Sequence, residues 1–171
     1  MELKKILKEE YDKYFSLLEE DFCLEERKTK LDELAAFDDK TFSPNFIFED
    51  GKLIGYACFW EFDDFLFIEH FAVLKEMRGT GCGSRFLKEF SEKANKPIIL
   101  EVELPENEIA IKRIKFYEKL GYVINNYPYA QPSYHEGKEP VPMHVMTYKN
   151  ELKKSDFDRI VLEIKHVVYN Q

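Results

Sequence analysis

The sequence predicts an α/β fold in a single domain spanning residues 1–171. Three observations predict it. An apolar, aromatic-rich run from Phe65 to Val73 leads into a glycine-dense loop and then a helical pattern from Ser84 to Ala94. A strand-like run, Pro97 to Glu103, precedes a helical pattern from Pro105 to Leu120 that Gly121 stops. Between two further strand-like runs lies Asp50-Gly51, which supplies the positive φ angles of a two-residue hairpin turn. A chain of this length suits one domain and buries roughly 70% of its unfolded surface.

Taken in order, residues 3–21 read as an amphipathic helix, with Leu3, Ile6, Leu7, Tyr11, Tyr14, Leu17 and Leu18 near helical spacing. Met1 to Leu7 barely supports a strand. Glu25 to Phe37 reads as a second helix with Leu24, Leu31 and Leu34 along one side. Pro44 breaks the chain before the hairpin of Asn45–Glu49 and Lys52–Phe62. Asp63-Asp64 is the next turn. Phe65 to Val73 is apolar on both faces, as a central strand is. Tyr122–Ala130 and Val141–Tyr148 form a final strand pair joined by a long loop of turn formers. Ser155 caps a last helix with Phe157, Ile160, Val161, Ile164, Val167 and Val168 inward.

Composition narrows the function. The net charge of -8 argues against nucleic acid, whose backbone wants Lys and Arg. No apolar run reaches the roughly 18–20 residues of a membrane span, and the first ten residues lack a signal peptide's apolar stretch. Cys23, Cys58 and Cys82 show neither metal spacing nor a disulfide framework. They read as reduced thiols in a cytoplasmic protein. The stretches 75–88 and 112–119 each carry +3, which leaves -14 on the remainder. An acidic remainder suits a cationic amine.

The glycine loop is an anion site. Alternate glycines allow positive φ and close ligand approach, and unpaired N–H groups at a helix start face a phosphate. A P-loop would need Lys after its last glycine, and Ser84 stands there instead. A dinucleotide fingerprint would need its third glycine one place later than Gly83. The spacing R-x-x-G-x-G fits, from Arg78 through Gly81 to Gly83. It resembles the acetyl-CoA pyrophosphate loop of the GNAT superfamily of N-acetyltransferases. Upstream, Ile68-Glu69-His70-Phe71-Ala72-Val73 is similar to that family's central strand. Downstream, Phe116-Tyr117-Glu118-Lys119-Leu120-Gly121-Tyr122 resembles its F-Y-E-x-x-G-F signature. The resemblance covers roughly residues 46 to 130.

The resemblance implies a GNAT fold, a mixed twisted central sheet with helices on both faces. It implies N-acetyl transfer from acetyl-CoA to a primary amine of a small molecule or peptide. Arg78, Gly79, Thr80, Gly81, Cys82, Gly83 and Ser84 would hold the pyrophosphate. Main chain at Phe71, Ala72 and Val73 would bind the pantetheine arm. Tyr117 would protonate the leaving thiolate; a phenol near pKa 10 suits a thiol of about 8.5. The acceptor site would lie between the early helices and the final strands, near Glu25, Glu26, Trp60, Tyr129, Tyr134 and His135.

Residue patterns add candidates. By strand alternation Glu69 shares a face with Phe67, Phe71 and Val73, which makes it the first-choice base, while His70 points to the other face as a structural histidine. Glu101 and Glu103 share one face of the next strand, as a second carboxylate pair for base work or amine recognition. Arg113 falls in the middle of its helix's apolar face, between Ile109, Tyr117 and Leu120. It is expected to flank the cofactor and either to pair with Glu69, Glu101 or Glu103 or to snorkel to the helix edge. One departure from the family stands out: Ala110 occupies the place, seven residues before the tyrosine, where many members carry an Asn that contacts the cofactor arm. A protein that binds CoA without turnover is therefore the alternative reading. A homodimer through the last helix is a further expectation.

Overall fold

Eight strands form one sheet in a computed structural model that describes residues 1–171. The strands are β1 (Glu2–Lys5), β2 (Phe42–Glu49), β3 (Lys52–Glu61), β4 (Leu66–Val73), β5 (Ile98–Glu103), β6 (Tyr122–Asn125), β7 (Ala130–Gln131) and β8 (Val141–Tyr148). Five α-helices accompany them: α1 (Tyr11–Asp21), α2 (Lys30–Ala36), α3 (Cys82–Lys93), α4 (Glu108–Lys119) and α5 (Lys154–Val168). The strand order is β1-β2-β3-β4-β5-β8-β6, with β7 paired to β8. All pairings are antiparallel except β4 with β5. The α/β expectation, with a mixed sheet, therefore holds.

Two apolar cores flank the sheet. One packs α1, α2 and α5 against Phe46, Tyr56, Trp60, Phe67 and Ile99. The other packs α3 and α4 against Ile47, Ala57, Ile68, Leu100 and Met146. Asp50 and Gly51 take φ of 51° and 75° at the predicted hairpin.

The chain's beginning departs from expectation. Residues 2–5 form a strand on β2, and the first α-helix starts only at Tyr11. Leu3 and Leu7 are exposed, so the helical spacing there was accidental. Pro44 lies within β2 rather than ending it. Its carbonyl accepts from Ile6 N–H at the end of the β1 pairing, where a proline's missing donor costs nothing. The second predicted helix is split: a 3-10 turn at Leu24–Glu26 ends before α2, and Leu24 and Leu31 are exposed. Thr29 caps α2 by accepting from Asp32 N–H. The last helix starts one residue before Ser155, with Lys153 in the cap position.

One irregularity matters for the site. The β3–β4 register slips between Cys58/His70 and Phe59/Ile68, so Glu69 is the extra residue of a β-bulge. The slip reverses alternation. Glu69 and His70 both approach Tyr134 on the α2/α5 side, while Phe71 stacks on Phe86 of α3. Glu69 thus does not share the face of Phe71 and Val73, and His70 does not oppose it.

Candidate active site

Pairing of β4 with β5 stops at Ile68 and Leu100, yet both strands run on. They diverge and open a cleft of about 340 Å³ between Glu69, Phe71, Ala72 and Val73 on one side and Leu100 and Glu101 on the other. Arg78, Arg113 and Tyr117 complete its rim, with Asp21 and Phe22 from the end of α1. Leu74 N–H donates to Ile54 on the β3 side. By alternation, the main-chain groups of Phe71 and Val73 then face the cleft.

The glycine loop stands at the mouth. Gly79 and Gly81 both take φ of 78°, in the left-handed region. Gly81 is the N-cap of α3, and no intramolecular acceptor meets the N–H groups of Gly79, Gly81, Gly83 or Ser84. Gly83 is required by close approach: a Cβ there would lie 2.8 Å from Val73 Cγ2. That contact seats the helix start against the strand edge. Arg78 donates to the Val73 carbonyl at 3.1 Å and to Asp21 Oδ1 at 2.5 Å. The guanidinium therefore ties loop, strand and α1 together. Thr80 Oγ1 donates to the Met77 carbonyl, and the buried Cys82 thiol fills the space beneath the turn.

On the opposite side of the sheet the polar side chains form one network. The Glu69 side chain is fully buried and paired with Lys28, whose own side chain is 6% exposed. Glu69 also accepts from Trp60 Nε1 at 2.6 Å and from the Tyr134 hydroxyl at 3.0 Å. Burial pushes this carboxyl up, but the Lys28 ammonium, His70 and the hydrogen bonds outweigh that and hold it below the usual range. Lys28 lies over the rings of Trp60 and Tyr134, at 5.2 and 4.9 Å. Glu101 differs. It accepts from Tyr129 at Oε1 and from Tyr169 at Oε2, the latter at 2.7 Å, and no cation pairs with it. Burial pushes its carboxyl up to about 7, against those hydrogen bonds. Two carboxylates on one cleft thus have opposite proton affinities.

The other candidates fall into place around these. Tyr117 borders the cleft, and burial raises its phenol to about 12, above the ordinary value near 10. Arg113 pairs with Glu103 at 2.6 Å, one of its three expected partners, at the rim and 42% exposed. Ile109 is exposed, so Arg113 does not sit within an apolar face. Ala110 is buried, and Asn107 spends its amide oxygen capping α4 at Ala110 N–H. Neither presents an amide to the cleft. Trp60 is only 2% exposed and serves Glu69 rather than lining a surface. Tyr134 bridges inward to Glu69. His135 reaches the Leu24 carbonyl at 2.7 Å and His70 the Glu26 carbonyl at 2.9 Å, which pins the loop after β7 and strand β4 to the segment before α2. Glu25 is exposed.

Sequence reasoning missed Lys28, Gln131, Tyr169 and the buried Glu33. Glu33 accepts from Tyr14 at 2.6 Å, and burial raises its carboxyl. A signal existed for Lys28: Thr29-Lys30-Leu31-Asp32 has the spacing of a capping motif, which places Lys28 before the helix rather than in it.

Comparison with known proteins identifies the family. Residues 3–122 match the model of the Acetyltransferase (GNAT) family. The chain belongs to the GNAT acetyltransferase family. A protein from Bacteroides thetaiotaomicron, named provisionally as a GNAT acetyltransferase, is 34% identical with a TM-score of 0.91, covering 100% of this chain and 99% of that one. The provisionally named acetyltransferase YjbC of Bacillus subtilis is 34% identical over 108 residues, 62% of this chain and 54% of that protein's length. A spermidine N-acetyltransferase SpeG variant from Vibrio cholerae shares the fold, with a TM-score of 0.64 at 13% identity over 86% of this chain and 94% of that one. The chain thus belongs to a family of acyltransferases that use acetyl-CoA. No helix is long and apolar enough to cross a membrane.

Proposed function

We propose that this GNAT protein moves an acetyl group from acetyl-CoA to a primary amine of a small molecule or peptide. The observation that carries the reading is the convergence, on one cleft, of a phosphate-ready loop and a carboxylate tuned near neutrality. The free N–H groups of Gly79, Gly81, Gly83 and Ser84 hold the pyrophosphate at the positive end of α3. The exposed edge of β4 at Phe71 and Val73 receives the pantetheine arm as an added strand would.

The base in this reading is Glu101. A carboxylate with a pKa of about 7 takes a proton from an ammonium near neutral pH far better than one held low by a buried lysine. Glu69, the first-choice base from sequence, becomes half of a structural ion pair. The freed amine attacks the thioester carbon, the N–C bond forms, and the C–S bond breaks. Tyr117 donates its proton to the departing sulfur, and the nitrogen sheds its surplus proton, which restores the Tyr117 phenol. With its phenol near 12, it transfers that proton as negative charge builds on sulfur. Arg113 at the rim adds positive charge beside the cofactor, and Tyr134 with Glu101 borders the amine.

Calorimetric titration of acetyl-CoA against wild type and Gly81→Glu tests the reading. Micromolar binding that the variant loses supports it, and CoA release across a panel of amines then identifies the acceptor class. No binding by folded wild type sinks it. Ala110 favours one rival, a CoA-binding module; binding without CoA release for any amine would establish that instead.

A further inference from the structure

We propose that Tyr169, supported by Gln131, is a positioning residue that fixes the Glu101 carboxylate for proton transfer. The inference rests on Glu101 as the base. Tyr169 follows the last turn of α5, and its hydroxyl lies 2.7 Å from Glu101 Oε2. Gln131 of β7 places its Nε2 2.8 Å from the same phenol oxygen. An amide N–H only donates, so Tyr169 accepts from Gln131 and directs its own proton to Glu101. Tyr134 lies 3.5 Å from the Tyr169 hydroxyl but 3.0 Å from Glu69. Its single proton goes to Glu69, so each of these two tyrosines serves a different carboxylate.

With Tyr129 on the other oxygen, Glu101 is held at both ends. Each oxygen keeps a second lone pair for the acceptor's proton. Other groups face this carboxyl as well. Glu69 of β4 raises its proton affinity and Lys165 of α5 lowers it, while Arg113 and Tyr117 of α4 border the same cleft. The two phenols favour the charged form and so oppose the effect of burial. Glu101 lies within the segment that matches the family, whereas Gln131 and Tyr169 lie outside residues 3–122. The structure assigns these later residues a part in the reaction centre that the matched segment does not contain.

The test uses Tyr169→Phe and Gln131→Leu in the full chain, with two readouts. One is the NMR titration of glutamate carboxyl carbons, with Glu101 assigned by the signal that Glu101→Gln removes. The other is kcat/KM for the acceptor against pH. A hydrogen bond to a charged group is worth about 1.5–3 kcal/mol, so Tyr169→Phe should raise the Glu101 midpoint by roughly one to two pH units. The acid limb of kcat/KM should move up equally, with the KM for acetyl-CoA unchanged. Gln131→Leu should shift both in the same direction by less. A midpoint that stays in place in folded Tyr169→Phe overturns the proposal. A midpoint that moves while the limb does not would keep Tyr169 as the residue that sets Glu101, and would remove Glu101 as the base. If Tyr169→Phe does not fold, Gln131→Leu decides by the same shift or its absence.

Discussion

The two sides of the cleft are built by different means. On the loop side, the proposed recognition rests on main chain: four free N–H groups, two glycines with positive φ, and a third that lets α3 touch β4. On the opposite side it rests on side chains, with Lys28 and Tyr134 on Glu69 and with Tyr129 and Tyr169 on Glu101. A main-chain site tolerates most side-chain changes but no added Cβ at the wrong place. A buried side-chain network behaves the other way round, because each lost partner leaves a polar group without water to replace it.

The largest effect should come from the network's one cation. Lys28→Met leaves Glu69 buried and unpaired, and should cost about 3–5 kcal/mol in urea unfolding. Adding Glu69→Gln should recover most of that loss. Little loss in the single variant would break the comparison, since the pair would then be dispensable.

Next is chemistry. Glu101→Gln should lower kcat/KM by about 10²–10⁴-fold at pH 8 while leaving acetyl-CoA affinity unchanged. Equal loss of affinity would mean that the two sides are not separable. Stability against pH sharpens the contrast between the carboxylates. Glu69 is held low, so its contribution is present above the unfolded value of about 4.3 and is lost as pH falls through the native value. Glu101 is raised, so its contribution is complete below about 4.3 and is lost as pH rises through about 7. Glu101→Gln should flatten the second slope and spare the first.

On the loop side, Gly83→Val should cost about 1–3 kcal/mol through its clash with Val73 and should weaken acetyl-CoA at least tenfold by calorimetry. Thr80→Ala should stay within about 0.5 kcal/mol of wild-type affinity. A larger loss at Thr80 than at Gly83 would mean that side chains, not main chain, read the phosphate. A small effect on stability belongs to Arg113→Met. Its rim pair with Glu103 is about two-fifths exposed, so stability should fall by no more than about 1 kcal/mol in the same urea assay.

The same division explains what could be read from the residues. Gly79, Gly81 and Gly83 declare themselves because glycine is chosen for local backbone reasons, and local reasons survive in sequence. The hairpin at Asp50-Gly51 and strands β4 and β5 are legible for the same cause. The start of the chain misled, because Leu3, Ile6 and Leu7 have helical spacing but residues 2–5 pair with β2 instead, a tertiary contact that outweighs local pattern. Glu69 was assigned to the wrong face because a bulge changes parity without leaving a mark on its own residues.

By itself, the sequence determined the α/β class, the family and the glycine-rich loop at the start of a helix, since each depends on short spans whose spacing encodes geometry. The tertiary structure alone decided which carboxylate is free. Lys28 stands 41 positions from Glu69, and Tyr169 stands 68 from Glu101. Proton affinity depends on burial and on such partners, which folding brings together from segments with no local signal that they will meet.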